Sequence, residues 1–311
     1  MSATTSPRQS RRWPLARYGL PVLLAAAMLA IAGLSGARAL LFPEGIALAF
    51  GVWVMRRPEW CESRSRLVLA PVLCGVSGLA AADLAPNRLT AELLALGAAG
   101  VVLFLLPAWI GPALSAAVLP AVFQVHSWVY PVSVLAIALV VAVGSPAVQP
   151  DQRQPPDPVR WPGRRFLACL AICAGWLAVV ALTRLPVVAA APPLLVSVLE
   201  LMVGKRVDTG ETIARGVLVV SAWAIGALAA WRLHPEVLAG GLAVALASAL
   251  LWCARTAHAP VLAMALVPEV AGPPAAWSAL GLDALALVLA VTVLYLFAVV
   301  VNRSRPTLSR E

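Results

Sequence analysis

Apolar runs about as long as a bilayer core is thick recur along the whole of this sequence, and they constrain the fold more than anything else in it. A hydrocarbon layer about 30 Å deep is crossed by roughly 20 residues at the helical rise of about 1.5 Å each. Inside such a layer no water is available to the peptide groups, so only helices or closed β-barrels cross it. A barrel would alternate apolar and polar residues in short segments, and no such alternation is present. The chain therefore reads as an all-α polytopic membrane protein. Composition agrees, because 61% of residues are apolar and 12% charged, a balance that excludes a water-soluble globular domain.

Polar breaks divide the chain into spans at 18–35, 38–55, 67–83, 91–109, 111–124 and 128–147. A second set follows at 166–183, 186–204, 214–232, 236–254, 258–271 and 277–301. About 12 transmembrane helices result, six in residues 16–147 and six in residues 165–301, flanked by tails at 1–15 and 302–311. The stretch Ser145 to Arg165 is rich in Pro, Gln, Asp and Arg and reads as a linker, with residues 148–164 wholly outside the membrane. With these spans, 19 Lys and Arg fall on one side and four (Arg38, Arg88, Arg184 and Arg232) on the other. The positive-inside rule then predicts both termini and the linker in the cytoplasm of a bacterial inner-membrane protein. The basic start and the run ending Ser35-Gly36-Ala37 also fit a cleaved leader, but the matching run in the second half favours a retained first helix.

Sliding the chain on itself by 148 or 149 residues brings landmarks into register. Pro43 falls on Pro192, Arg66 on Arg215, Trp128 on Trp277, and the glycine of Ser77-Gly78-Leu79-Ala80 on that of Ile225-Gly226-Ala227-Leu228. Gly111 to Val122 matches Ala259 to Val270 at five of 12 positions, including prolines eight residues apart. Six spans are an even number, so the two copies are predicted to insert in the same orientation, as parallel repeats. The fifth span of each is short, and Pro120 or Pro268 is expected to break it midway by removing a helical hydrogen bond. Broken helices at membrane depth are tolerated where they face protein or a wet cavity.

The order of these parts carries a resemblance. A helix is followed by one opening with proline (Leu41-Phe42-Pro43-Glu44-Gly45; Pro192-Pro193-Leu194), then by an Arg-led helix with a central glycine (Arg66 to Gly78; Arg215 to Gly226), and later by a short proline segment. This resembles the fusaric-acid-resistance and aromatic-acid-exporter families and the HPP membrane family, whose short segment carries His-Pro-Pro. Here the corresponding residues are His258-Ala259-Pro260 and Ile110-Gly111-Pro112. The resemblance implies transport of small organic or inorganic anions; the soluble domain many such exporters carry between their halves is missing.

Carboxylates within spans are costly and point to function by default. Glu44, Glu200, Glu269 and Asp283 fall there, and Glu269, directly after Pro268, is the preferred coupling residue because a lone acid in a broken span is suited to carry a proton. Glu200 lies five residues before Lys205 and is expected to make a structural salt link. His258 is expected at the cytoplasmic start of the eleventh span and His126 at the outer end of the fifth, either of which could relay protons. Arg66 and Arg215 occupy matching helix starts and could attract an anion, or anchor topology at the headgroups. Trp176 and Trp223 could line the path of an aromatic solute. Cys169 and Cys173 share a helix face and read as packing residues.

No nucleotide-binding glycine loop, His-Glu-x-x-His, Asp-rich pair or Ser/His/Asp set occurs, so no cofactor, metal site or enzyme activity is expected. The basic residues lie in loops and form no compact face for a nucleic acid. The expected function is secondary transport, proton-coupled, of a small weak-acid or inorganic anion. The alternative is a non-catalytic membrane subunit that binds a partner protein or an isoprenoid lipid. Expected partners are the bilayer and a small solute, with a homo-oligomer or a membrane-protein partner open.

Overall fold

The computed structural model describes residues 15–61, 63–106, 110–148, 163–203, 209–272 and 276–303. Every regular element among them is helical. The first half holds α1 (Leu15–Ser35), α2 (Pro43–Ala49) continuing through a π turn (Phe50–Val54), α3 (Pro58–Cys61), α4 (Arg64–Leu84), α5 (Arg88–Leu105), α6 (Gly111–Phe123) and α7 (Val129–Val148). The second half holds α8 (Gly163–Thr183), α9 (Pro192–Val203), α10 (Thr209–Arg232), α11 (Glu236–Ala254), α12 (Pro260–Ala271) and α13 (Trp277–Arg303). Seven of these helices, α1, α4, α5, α8, α10, α11 and α13, are long and apolar enough to cross a membrane. Their outward faces carry exposed apolar side chains such as Leu34, Leu84, Leu182 and Leu285, a surface suited to lipid and not to water.

The local sequence explains the helix ends. Ser63 caps α4 by accepting from the Arg66 backbone N–H, and Asn87 caps α5 by accepting from that of Thr90. Proline opens α2, α9 and α12, where its missing donor costs nothing. The expected linker is shorter than the polar composition implied. α7 runs on to Val148 and α8 begins at Gly163, because Ala and Val continue past Ser145 and Arg164-Arg165 fit a helical first turn; residues 149–162 lie outside the described residues.

Four short segments form the centre. α6 has 13 residues, α9 and α12 have 12 each, and α2 has 7 before its 5-residue π turn. A 12-residue helix reaches only about 18 Å, so its ends stop short of a bilayer's faces. Their surroundings are protein: from Gly111 to Val122 and from Pro260 to Glu269 every side chain is buried. α6 packs on α9 and α2 on α12, while α1 lies along α11 and α8 along α5, so the halves interlock. The closest helix approaches rest on glycine. A Cβ on Gly78 of α4 would overlap the Ala117 carbonyl oxygen of α6, and one on Gly226 of α10 would overlap the Ala265 carbonyl oxygen of α12. Both members of the second contact lie 148 residues after those of the first.

The structure corrects the expected break at the prolines. α6 runs without interruption through Pro120 and α12 through Pro268, each proline lying in its helix's last turns. Pro120 lacks the N–H that would have bonded the Ala116 carbonyl. The buried Tyr130 hydroxyl of α7 donates to that oxygen instead, at 2.9 Å, so the vacancy is filled by a side chain. Tyr130→Phe should therefore lower stability by about 1–3 kcal/mol, the cost of an unsatisfied buried acceptor, read as a lower thermal midpoint in detergent. An unchanged midpoint would show that the carbonyl finds another donor.

Candidate functional site

Where α2 ends, the chain has to turn sharply, and the turn places an arginine. The π turn closes with Met55 N–H donating to the Phe50 carbonyl, and Arg57 N–H donates to Gly51. Gly51 has no side chain because the buried Trp60 ring occupies the space where a Cβ would stand. The same ring lies 4.7 Å from the Arg57 guanidinium, a cation–π contact that helps fix its direction.

Arg57 points across to the second half. Its Nη2 lies 2.9 Å from Glu200 Oε1 near the end of α9, and the other Glu200 oxygen lies 3.2 Å from His258 Nδ1. His258 sits two residues before α12 and is fully buried. Its Nε2 is 3.3 Å from Ser197 Oγ and 3.4 Å from the Tyr295 hydroxyl on α13. Ser197 already donates to the Pro193 carbonyl. The consistent assignment has Nδ1–H donating to Glu200 and Tyr295 donating to Nε2, which makes His258 a neutral imidazole. Arg215, in the second turn of α10, bonds Glu211 at 2.6 Å, and its Nε is buried without a hydrogen-bond partner among the described residues. Each of the two guanidinium groups thus has a carboxylate partner, Glu200 for Arg57 and Glu211 for Arg215, and a guanidinium is the side chain best shaped to exchange such a partner for another anion.

At the other end of α12, Glu269 is 6% exposed, with Arg38 and Glu236 as its charged neighbours. Those two residues pair with each other at 3.1 Å, and Glu269 Oε1 has no hydrogen-bond partner among the described residues. Glu44, in the first turn of α2, is buried beside Ser115 of α6.

Several sequence expectations change. Glu269 is near the end of α12, not midway along a broken span. Glu200 pairs with Arg57 and His258, while Lys205, its expected partner, lies outside the described residues. His258 is a core residue and not interfacial, because the elements around it bring it a carboxylate and two hydroxyls. Arg66 and Arg215 are not equivalent: Arg66 is in the first turn of α4, whereas α10 begins at Thr209, one turn and more before Arg215. Asp283 is partly exposed on α13, and none of the contacts described above reaches it. His126 pairs with Asp83 at 2.8 Å where both are exposed. Trp176 is committed to structure, since its indole N–H donates to the Ala189 carbonyl at 2.7 Å. Pro120 and Pro268 lie in the buried central helices as described. Cys169 and Cys173 are buried and free. Arg57 was not singled out in the sequence; its signal was the basic pair closing an apolar run, followed by Pro and Trp. Among the described residues, no group of three or more His, Cys, Asp or Glu gathers as a metal ion would require.

No protein-family model, no curated protein and no solved structure matches this chain. The fold by itself defines the class, a polytopic helical protein in which seven helices among the described residues are long and apolar enough to cross a membrane.

Proposed function

We propose that this protein is a proton-coupled secondary transporter of a small weak-acid or inorganic anion, with 12 membrane segments arranged as two parallel six-helix repeats. The positive-inside bias favours an inner-membrane setting with both termini cytoplasmic. One observation carries the reading, the buried Arg57–Glu200–His258 network joining the two halves at the ends of short helices. Ionisable groups at such a place are expensive and mark substrate or ion pathways in membrane proteins. A second buried acidic group, Glu269, lies near the far end of α12, about 16 Å from His258 by helical rise. Polar groups at either end of one short buried helix are what two alternating gates would use, the inner one holding arginines that could trade a carboxylate partner for an anion. The matched contacts Gly78–Ala117 and Gly226–Ala265 support the repeat.

The test is uptake by proteoliposomes of a panel spanning acetate, benzoate and nitrate. At least one anion should accumulate when the lumen is alkaline relative to the bath, and a protonophore should abolish the accumulation. Glu269→Gln should weaken the dependence on the pH gradient while leaving the yield of folded protein nearly unchanged. Uptake no faster than in protein-free vesicles, together with a stable complex with other membrane subunits, would replace the transporter by the non-catalytic subunit.

A further inference from the structure

Glu44 is a carboxylic side chain that the network above does not use. It lies in the first turn of α2, is 1% exposed, and both of its oxygens are buried with no hydrogen-bond partner among the described residues. Ser115 of the facing helix α6 is fully buried, and its hydroxyl is likewise without a partner among the described residues. Two polar groups therefore face one another across a helix crossing in a core that is otherwise apolar.

Among the described residues the surroundings supply no counter-charge. The titratable neighbour is the Tyr130 hydroxyl from α7, which already donates its proton to Ala116. On α12 the acidic group is Glu269, whose charged neighbours are Arg38 and Glu236. On α1, Tyr18 packs against Phe50, at the far end of the α2 segment. An unpaired carboxylate shut away from water and cations is among the costliest arrangements a protein can hold. Three side-chain oxygens, two of Glu44 and one of Ser115, are also too few for a bound calcium or magnesium ion, which takes about six or more.

We infer that Glu44, facing Ser115 at the α2–α6 crossing, is a proton-binding site: the carboxyl is held as the neutral acid in the closed packing and exchanges its proton with water when α2 parts from α6. Ionisation would leave a charge that only water could satisfy, so proton release and the opening of this crossing are the same event. The repeat places Pro193 opposite Glu44 and Ala263 opposite Ser115, so the site occurs in one half and holds one proton per chain. The inference rests on the transporter reading only for the use made of that proton.

Dicyclohexylcarbodiimide tests it on the unaltered chain. This apolar reagent takes the proton of a neutral carboxyl on one nitrogen while the carboxyl oxygen adds to its central carbon; the adduct rearranges to a stable N-acylurea found by peptide mass spectrometry. Glu44 should be labelled in the full chain in lipid vesicles, and labelling should fall about ten-fold for each unit of pH beyond the midpoint. Glu44→Gln should lose both the label and the effect of a pH gradient on flux. Absent labelling of Glu44 or labelling indifferent to pH would overturn the assignment, and unchanged pH-driven flux in the Glu44→Gln variant would overturn the use of this proton in coupling. Labelling that follows pH in a protein that moves no anion would uphold the proton site and remove the transporter reading instead.

Discussion

Gly226→Ala is expected to abolish most of the folded protein, and Gly78→Ala to do nearly the same. At both positions the added methyl would overlap a backbone carbonyl oxygen, of Ala265 and Ala117 respectively. A flexible side chain could swing aside from such a clash, whereas a carbonyl moves only with its helix. α6 and α12 are buried along almost their whole length, so neither can retreat without parting from its other neighbours. Membrane helices rely on small residues for this reason, since contact between backbones replaces the hydrophobic drive that lipid removes. Overpacking commonly costs about 1–3 kcal/mol and occasionally more, and a rigid obstacle puts both variants at or above the top of that range. Yield and monodispersity after detergent extraction read the outcome. Loss in one variant and full tolerance in the other would show that the two contacts do not carry equal weight.

The second large effect concerns the Arg57–Glu200 pair. Both partners are largely buried, with side-chain exposures of 18% and 7%. Removing one member of such a pair strands the other, at a cost of about 3–5 kcal/mol, whereas replacing both by apolar groups of similar volume is often near neutral. Glu200→Met and Arg57→Met should each lower the thermal midpoint strongly, and the double variant should recover most of the loss. On the proposed transporter reading flux should not recover, because the cation proposed to receive the anion is gone. A double variant as unstable as the sum of the singles would mean that the two side chains act independently. Recovered flux would assign them to stability alone.

Much of the architecture was legible because it is written in local, repeated signals. The long apolar runs depend on residues near in sequence and the matched glycines on a fixed offset, whereas of the 12 expected spans seven, among the described residues, are helices long and apolar enough to cross a membrane. The site was less legible, because pairing between distant elements leaves no periodic mark. Arg57 reads as one of a pair of loop arginines until the π turn and the Gly51–Trp60 contact aim it inward. His258 reads as a helix-end residue, and its burial follows from α9 and α13 closing over it. Pro120 suggested a break; what keeps α6 whole is a hydroxyl ten residues further on, which no helix rule anticipates. Arg215 was placed at a helix start because the polar residues Thr209 to Thr212 resemble a loop, yet they form the first turn of α10. Glu44 was marked as costly from the sequence, but only the structure shows that it faces Ser115 and no cation.

The central claim, that an anion and a proton cross together, is tested most directly by lumenal pH. A pH-sensitive dye is sealed in proteoliposomes and an inward gradient of a strong-acid anion such as nitrate is imposed, with the membrane potential clamped by potassium and valinomycin. Nitrate is chosen because a weak acid carries protons through lipid unaided. If nitrate is a substrate, the lumen should acidify as it enters, and protein carrying Glu44→Gln should give no acidification. Entry of nitrate with the lumenal pH unmoved would contradict proton coupling.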